Sequence, residues 1–375
     1  MASPALTDIK IPAHLLPLDG RFGSGPSKIR AEQIDAVVRA SRNILGTSHR
    51  QAPVKNLVGS VIDQMRQLFQ LPQDWDVVIG NGGASLFWDA ATFGLIHERS
   101  AHFIFGEFSS KFAQAAQLAP HLGDPIVIES APGTVPAIQQ SDVDTYCLTH
   151  NETSTGASMQ LSRPATPADA LVVVDGTSAA GGINWSPTEV DVYYFSPQKG
   201  FASEGGTWIA LCSPRAVERI NKIKSTGRWC PPSLDISLAL ENSRANQTYN
   251  TPSLSTFVML NEQLGWMLDN GGLDWCTKRT QQSADILYGW ATSRAFTEPF
   301  VANPQHRSPV VGTIDFIDVD AAQVATVLRN NGIVDTEPYR KLGRNQLRVS
   351  MFPAVDPSDV QLLTSSIDYI VEQLS

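Results

Sequence analysis

The sequence predicts an α/β protein built on a mainly parallel sheet, followed by a smaller α+β unit. Three observations carry this. Apolar runs such as Leu171-Val172-Val173-Val174 and Val192-Tyr193-Tyr194-Phe195 lack polar alternation, as strands buried on both faces do. Helical patterns separate such runs through the first half of the chain, and β/α alternation favours parallel pairing. From roughly Val310 the rhythm changes to strand, helix, strand, helix.

Composition sets the bounds. At 375 residues the chain can bury a sizeable core, and one large plus one small domain is the expectation. Its hydrophobic fraction of 42% and charged fraction of 17% are those of a globular chain, not a disordered one. A formal charge of −9 argues against nucleic acid as the main partner. No apolar stretch approaches ~18 residues, so no membrane span is expected. Met1 to Lys10 lacks the cationic-then-apolar pattern of a signal peptide. Cys147, Cys212, Cys230 and Cys276 are scattered without a C-x-x-C pair, which suits reduced residues of a cytosolic protein.

Taken in order, Met1 to Asp19 reads as an arm with little structure of its own. Arg21 to Lys28 is a glycine-rich turn, lacking the Gly-Lys-Ser ending of a phosphate loop. A helix is expected from about Ile29 to Leu45. After the loop Gly46 to Arg50, Pro53 opens a second helix. Its apolar positions Val54, Leu57, Val58, Val61, Ile62, Met65 and Leu68 recur at helical spacing. Asp76 to Ile79 is a strand. The turn Gly80 to Ser85 then leads into a helix over Leu86 to Ile96, and its free N–H groups can cradle a phosphate. Strands are expected at Phe103–Phe105, Ile126–Ile128 and Tyr146–Leu148, with a helix over Lys111 to Leu118. His97-Glu98 with His102 resembles a zinc pair, but a spacing of five residues from His97 puts the histidines on different helix faces, and both read as structural. Thr207 to Leu211 is expected as an antiparallel edge strand. Helices follow over Pro214–Ile223, Leu234–Arg244, Ser253–Leu268 and Leu273–Thr292, then Ala321–Asn330 and Val360–Leu374, with a strand at Gln346–Val349 between the last two.

Two residues stand at strand ends. Ser196 and Pro197 stop the run ending at Phe195, and Lys199 follows. Asp175 closes the run Leu171 to Val174. The carboxyl ends of parallel strands line the ligand crevice of an open sheet, so both residues belong at one edge. Taken singly, Lys199 reads as a solvated lysine and Asp175 as a cap. Together they are the pair that pyridoxal phosphate chemistry requires: an amine for the cofactor aldehyde and a carboxylate for the ring nitrogen.

Gly23-Ser24-Gly25-Pro26, Ser48-His49-Arg50, Gly82-Gly83-Ala84-Ser85, Asn151-Glu152-Thr153, Val174-Asp175, Gln198-Lys199-Gly200 and Tyr249-Asn250-Thr251-Pro252 occur in that order. With these motifs the chain resembles the phosphoserine aminotransferase family over nearly its whole length. The resemblance implies fold type I of the pyridoxal phosphate-dependent transferases, with a mostly parallel seven-stranded sheet in the large domain. It implies a large cofactor-binding domain over 20–262 and a small domain from 1–19 and 263–375. It implies a homodimer with composite sites, in the cytoplasm, without nucleic acid or membrane. By the same resemblance Lys199 bonds to the cofactor and moves the substrate proton, and Asp175 pairs with the ring nitrogen. Ala84 and Ser85 hold the phosphate with Gln198, and Thr153 bonds the ring hydroxyl side. Asn250 and Thr251 reach the phosphate from the partner subunit. His49 and Arg50 take the substrate's distal anion, and Arg348 clamps its α-carboxylate. The substrates implied are L-glutamate, phosphoserine, 2-oxoglutarate and 3-phosphohydroxypyruvate, in serine synthesis and in the related phosphorylated step of pyridoxine synthesis.

Two departures from the family pattern stand out. Where the family often has tryptophan over the cofactor ring, Gly106-Glu107-Phe108 offers Phe108. In place of a Gly-His-Arg stretch stands Leu342-Gly343-Arg344, so Arg344 is expected to supply a phosphate contact without the histidine. Two rivals stay open: an aminotransferase for alanine, serine and glyoxylate, and a non-catalytic cofactor-binding relative. The anion residues argue against the first, and the intact Lys199 and Asp175 against the second.

Overall fold

The computed structural model describes residues 6–165 and 169–374. In chain order the elements are α1 (Ala31–Ala40), α2 (Ala52–Leu68), β1 (Asp76–Asn81), α3 (Ala84–Gly94), β2 (Ser100–Ile104), α4 (Glu107–Leu118), β3 (Ile126–Glu129) and β4 (Thr145–Thr149). Then come β5 (Asn151–Glu152), β6 (Ala157–Ser158), β7 (Leu171–Asp175), β8 (Val192–Phe195), β9 (Thr207–Cys212), α5 (Pro214–Ser225), α6 (Ile236–Arg244) and α7 (Leu254–Asp269). The chain ends with α8 (Gly272–Ser293), β10 (Thr297–Pro299), β11 (Val311–Phe316), α9 (Ala321–Asn330), β12 (Gln346–Ser350) and α10 (Pro357–Leu374).

The main sheet has seven strands in the order β1-β9-β8-β7-β4-β2-β3. β3, β2, β4, β7 and β8 run parallel, and β9 pairs antiparallel with both β8 and β1. One expectation is corrected here: β9 is antiparallel but is no edge strand, because β1, from far earlier in the chain, pairs along its outer side. All of β9 is buried in consequence. The register sets Thr149 opposite Asp175 and Asp175 opposite Tyr194, so the carboxyl ends of β4, β7 and β8 stand level.

Side chains of the central strands alternate between two cores, as the pleat requires. Val172, Val174, Tyr193 and Phe195 share one core with α2 and α7. Leu171, Val173, Val192 and Tyr194 share the other with α3, α5 and α6. The seven apolar positions of α2 are all buried, each worth ~1.5 to 3 kcal/mol against exposure for a side chain of this kind. A three-stranded sheet, β10-β11-β12, packs with α8, α9 and α10 around a third core. Ile9 and Ile11 belong to that core. The described part of the expected N-terminal arm is therefore docked; residues 1–5 lie outside the described residues. Sequence reading also misses β10 and the two-residue pair β5–β6, which are too short for a periodic signal. It starts α4 late, at Lys111 instead of Glu107. Among the described residues no helix is long and apolar enough to cross a membrane. Cys147, Cys212 and Cys276 are buried and Cys230 is half-buried, all as free thiols.

Candidate active site

A cavity of about 400 Å³ opens at the carboxyl ends of β4, β7 and β8. Lys199 reaches it one short turn beyond β8. The turn is held by Ser196, whose hydroxyl donates to the Thr207 carbonyl at 2.6 Å. Gly200 is required there because a Cβ would stand 2.1 Å from the Ala180 carbonyl oxygen. Gly25 makes room for the lysine stem: its φ is +145°, and a Cβ would meet Lys199 Cε at 2.8 Å. Lys199 Nζ donates to Thr153 Oγ1 at 2.6 Å. Burial drives the ammonium pKa down to about 8, against the pull of Asp175 and Glu152, and the Arg348 charge adds to the fall. The shift raises the share of the neutral, nucleophilic amine above that of an ordinary lysine.

Asp175 ends β7 and is buried. Its Oδ2 accepts from Trp88 Nε1 at 3.2 Å and from the Tyr194 hydroxyl at 3.1 Å, and Oδ1 accepts from Thr177 N at 2.8 Å. These donors stabilise a carboxylate and fix its plane. The His150 N–H donates to the Asp175 carbonyl at 2.9 Å, and its ring bonds the Tyr193 hydroxyl at 3.0 Å. Burial holds the His150 imidazole neutral, with a pKa near 3.

Phe108 forms one wall, with its ring 5.0 Å from Lys199 Nζ. Its backbone is seated by Glu152, a fully buried carboxylate. Glu152 Oε2 accepts from Phe108 N at 3.1 Å and from Ser109 N at 3.0 Å, and Oε1 accepts from the Ser154 hydroxyl at 2.7 Å. The carboxylate thereby caps the positive end of α4. Burial still pushes its pKa up. Gly106 is the partner of this seat, since a Cβ there would lie 2.3 Å from Glu152 Cγ.

The opposite wall is the N-terminus of α3, with Gly83, Ala84 and Ser85 on the cavity. Four N–H groups at a helix start have no intrahelical partner, so this wall suits an anion. Ser24, Asn151, Thr177, Gln198 and Arg348 also line the cavity, and Ser24 Oγ, Asn151 Oδ1, Thr177 Oγ1, Gln198 Oε1 and Arg348 Nε are buried without a hydrogen-bond partner among the described residues. A buried lysine, a carboxylate, an anion cradle and orphaned polar atoms in one cavity fit pyridoxal phosphate.

The structure brings together Ala84, Ser85, Phe108, Thr153, Asp175, Gln198, Lys199 and Arg348. It leaves five expected residues outside the cavity. Arg344 is bidentate to Asp315, with Nε 3.0 Å from Oδ2, and its guanidinium lies over the Phe300 ring at 4.5 Å. Its fork is thus held by the β11 carboxylate outside the cavity, and not turned to the cavity as the expected phosphate contact would have it. The other four form a separate exposed cluster. His49 Nδ1 and Thr251 Oγ1 are 3.0 Å apart, and Arg50 donates to Gln247 and to Asn242 Oδ1. Asn81 joins it, accepting from Asn250 N at 3.3 Å and donating to the Thr251 carbonyl at 3.2 Å. Among the described residues His49 Nε2 is buried without a partner, and burial lowers the imidazole pKa.

Sequence reading missed Trp88, Tyr194 and Tyr339. Trp88 was placeable on the apolar face of α3 and Tyr194 on β8, but nothing local pairs either with Asp175. The zinc-like histidines stay apart from any site: His102 is fully buried and bonds the Ser100 hydroxyl at 3.0 Å.

Comparison with known proteins agrees with this geometry. A family description, aminotransferase class-V, matches residues 128–363. The phosphoserine aminotransferase of Rhodococcus jostii is 56% identical over 366 residues, covering 97% of this chain and 98% of its own. A Cytophaga hutchinsonii structure described as a phosphoserine aminotransferase superposes with a TM-score of 0.86 at 23% identity, covering 94% of this chain and 99% of that one. A Trichomonas vaginalis structure described as PLP-bound phosphoserine aminotransferase gives 0.79 at 19% identity, over 93% and 99% of the two chains.

Proposed function

We propose that this chain, which belongs to the phosphoserine aminotransferase family of class-V aminotransferases, moves the amino group of L-glutamate to 3-phosphohydroxypyruvate, giving O-phospho-L-serine and 2-oxoglutarate. Its cofactor is pyridoxal phosphate. The observation that carries the reading is the convergence of a buried lysine of lowered pKa, a hydrogen-bonded aspartate and an arginine on one cavity. Bound there, the cofactor supplies an aldehyde that captures the amino group and a ring that accepts the electron pair left at the substrate carbon.

The chain's residues divide the remaining work. Lys199 Nζ accepts the Cα proton and returns it on the cofactor side, and the Thr153 hydroxyl orients that amine. Asp175 favours a proton on the ring nitrogen, and Trp88 and Tyr194 hold its plane. Ala84 and Ser85, with Gln198, take the cofactor phosphate. Phe108 stacks on the ring and keeps water out. Arg348 grips the α-carboxylate.

The exposed cluster of His49, Arg50, Asn250 and Thr251 supports a homodimer in which each subunit completes its partner's site. Asn250 and Thr251 would reach the partner's cofactor phosphate, and His49 and Arg50 the distal carboxylate or phosphate. We place the cofactor-binding domain at 20–262 and the small domain at 1–19 with 263–375. We also infer a cytoplasmic enzyme serving serine synthesis, and the phosphorylated step of pyridoxine synthesis as a second use.

The half-reactions test this. Glutamate, then separately phosphoserine, should each convert the cofactor absorption from the aldehyde-bound to the amine form. Conversion by alanine alone would overturn the reading. For the dimer, Lys199→Ala protein mixed with an Asn250/Thr251 double variant should regain activity. No recovery after demonstrated subunit exchange would exclude a shared site.

A further inference from the structure

We propose that Tyr339 is a positioning residue that holds the Arg348 guanidinium at the cavity and so sets the grip on the carboxylate common to every substrate. This rests on reading Arg348 as the α-carboxylate clamp.

Arg348 is poorly satisfied by the rest of the chain. Among the described residues its side chain makes one hydrogen bond, from Nη1 to the Thr153 carbonyl at 3.4 Å, which is long for such a bond. Its Nε is buried without an acceptor. What lies against it is the Tyr339 ring, whose centroid is 5.5 Å from the guanidinium carbon. A cation over an aromatic face is attracted by the ring quadrupole, more strongly where water is excluded. The contact takes up no hydrogen bond between the two side chains among the described residues, so the guanidinium N–H groups stay free for a carboxylate fork. Burial lowers the Arg348 pKa and Tyr339 opposes that fall.

Tyr339 is itself held. Its ring lies 6.2 Å from that of Phe108, tilted by 57°. Two residues on, Lys341 pairs with Glu107 at the start of α4. The segment is thus fastened to the helix that carries Phe108, with an aromatic contact facing the cavity and an ion pair outside it. Ring contacts thus run from Lys199 Nζ to Phe108, from Phe108 to Tyr339 and from Tyr339 to Arg348, and both cations also bond Thr153. On the proposed function Lys199 serves the cofactor and Arg348 the substrate. Tyr339 is half-buried, so its replacement leaves the cores intact.

The test compares Tyr339→Leu and Tyr339→Phe with wild type, all loaded with pyridoxal phosphate. Binding of 2-oxoglutarate, which cannot react with the aldehyde-loaded protein, is measured by calorimetry. Tyr339→Leu should bind it about ten-fold more weakly, and Tyr339→Phe within about two-fold of wild type. KM for glutamate and for phosphoserine should rise together in the leucine variant, with cofactor affinity and thermal midpoint unchanged. Wild-type binding in Tyr339→Leu would overturn the assignment. So would a loss confined to phosphoserine, which would move Tyr339 to the distal pocket. So would loss of cofactor and thermal stability with no rescue by phenylalanine, which would mark a packing role. If the wild type exchanged amino groups with neither amino acid, the proposed function would fail on that result alone, and the binding comparison would still decide the role of Tyr339.

Discussion

The cavity at the sheet edge and the cluster around His49 are built on opposite plans. In the cavity, Lys199 bonds Thr153, Trp88 and Tyr194 bond Asp175, and each of the five lies within or just beyond a strand or helix. In the cluster, His49 is half-buried and Arg50, Asn250 and Thr251 are exposed, and they bond residues such as Gln247 and Asn81, the last residue of β1. The cavity is enclosed by one chain and the cluster faces outward, while both keep buried polar atoms without a partner among the described residues. The difference teaches that the groups proposed for the chemistry are set by the inner edge of the sheet, whereas those proposed for the substrate's distal end lie on the chain's surface.

The sharpest way to break that contrast is at Lys199. Lys199→Ala should keep its fold and lose turnover by about 10⁴-fold or more, since neither the nucleophile nor the proton carrier remains. Borohydride fixation of cofactor to another lysine would undo the cavity assignment. Asp175→Asn should bind cofactor yet slow transamination by about 10² to 10⁴. A rate near wild type would reduce Asp175 to a cap for Thr177.

The cavity should also reveal itself by pH in the cofactor-free protein. The Lys199 pKa falls from 10.5 to about 8 on folding. Between those values the unfolded chain binds the additional proton, so stability rises with pH across that window. Below about 8 the buried ammonium is a full penalty, of up to about 3 kcal/mol. Cofactor-free Lys199→Met should therefore melt above wild type at pH 7, and the gap should close towards pH 10.5. A gap independent of pH would mean that the lysine is not buried as a free amine.

Changes in the outward cluster should be smaller and of another kind. Arg50→Ala should lower kcat/KM for glutamate and phosphoserine by about ten- to a hundred-fold while cofactor affinity and melting stay put. Loss of melting stability instead would make Arg50 a strut for Gln247. The smallest effect belongs to Arg344. Its pair with Asp315 is half-exposed on the arginine side, so Arg344→Ala should cost about 1 kcal/mol of stability and leave kcat/KM within about two-fold. A larger loss on phosphoserine than on glutamate would return Arg344 to the substrate path.

The same division explains what could be read in advance. Buried runs and their strand-end residues were legible, because an all-apolar run that stops at Asp175 or before Lys199 is a local pattern. The helical face of α2 was legible for the same reason. What was not legible depends on pairing across long stretches of chain. β9 has no mark telling it that β1 will close its outer side. Trp88 and Tyr194 look like core aromatics until the register brings both to one carboxylate oxygen. Arg344 sits near the Arg348 strand in sequence, yet Asp315, on the neighbouring strand β11, decides where its fork points.

The seat beneath Phe108 bears on how this site can change over time. Glu152 grips the backbone of residues 108 and 109, not the ring. The aromatic at 108 can therefore be exchanged, phenylalanine for tryptophan, without rebuilding what holds it. Positions 106 and 152 have no such freedom: any side chain at 106 collides with Glu152, and a shorter residue at 152 uncaps α4. Drift is cheap at the wall of the cavity and forbidden at its footing, so variation in the ring is where related chains can retune the cofactor's surroundings one substitution at a time.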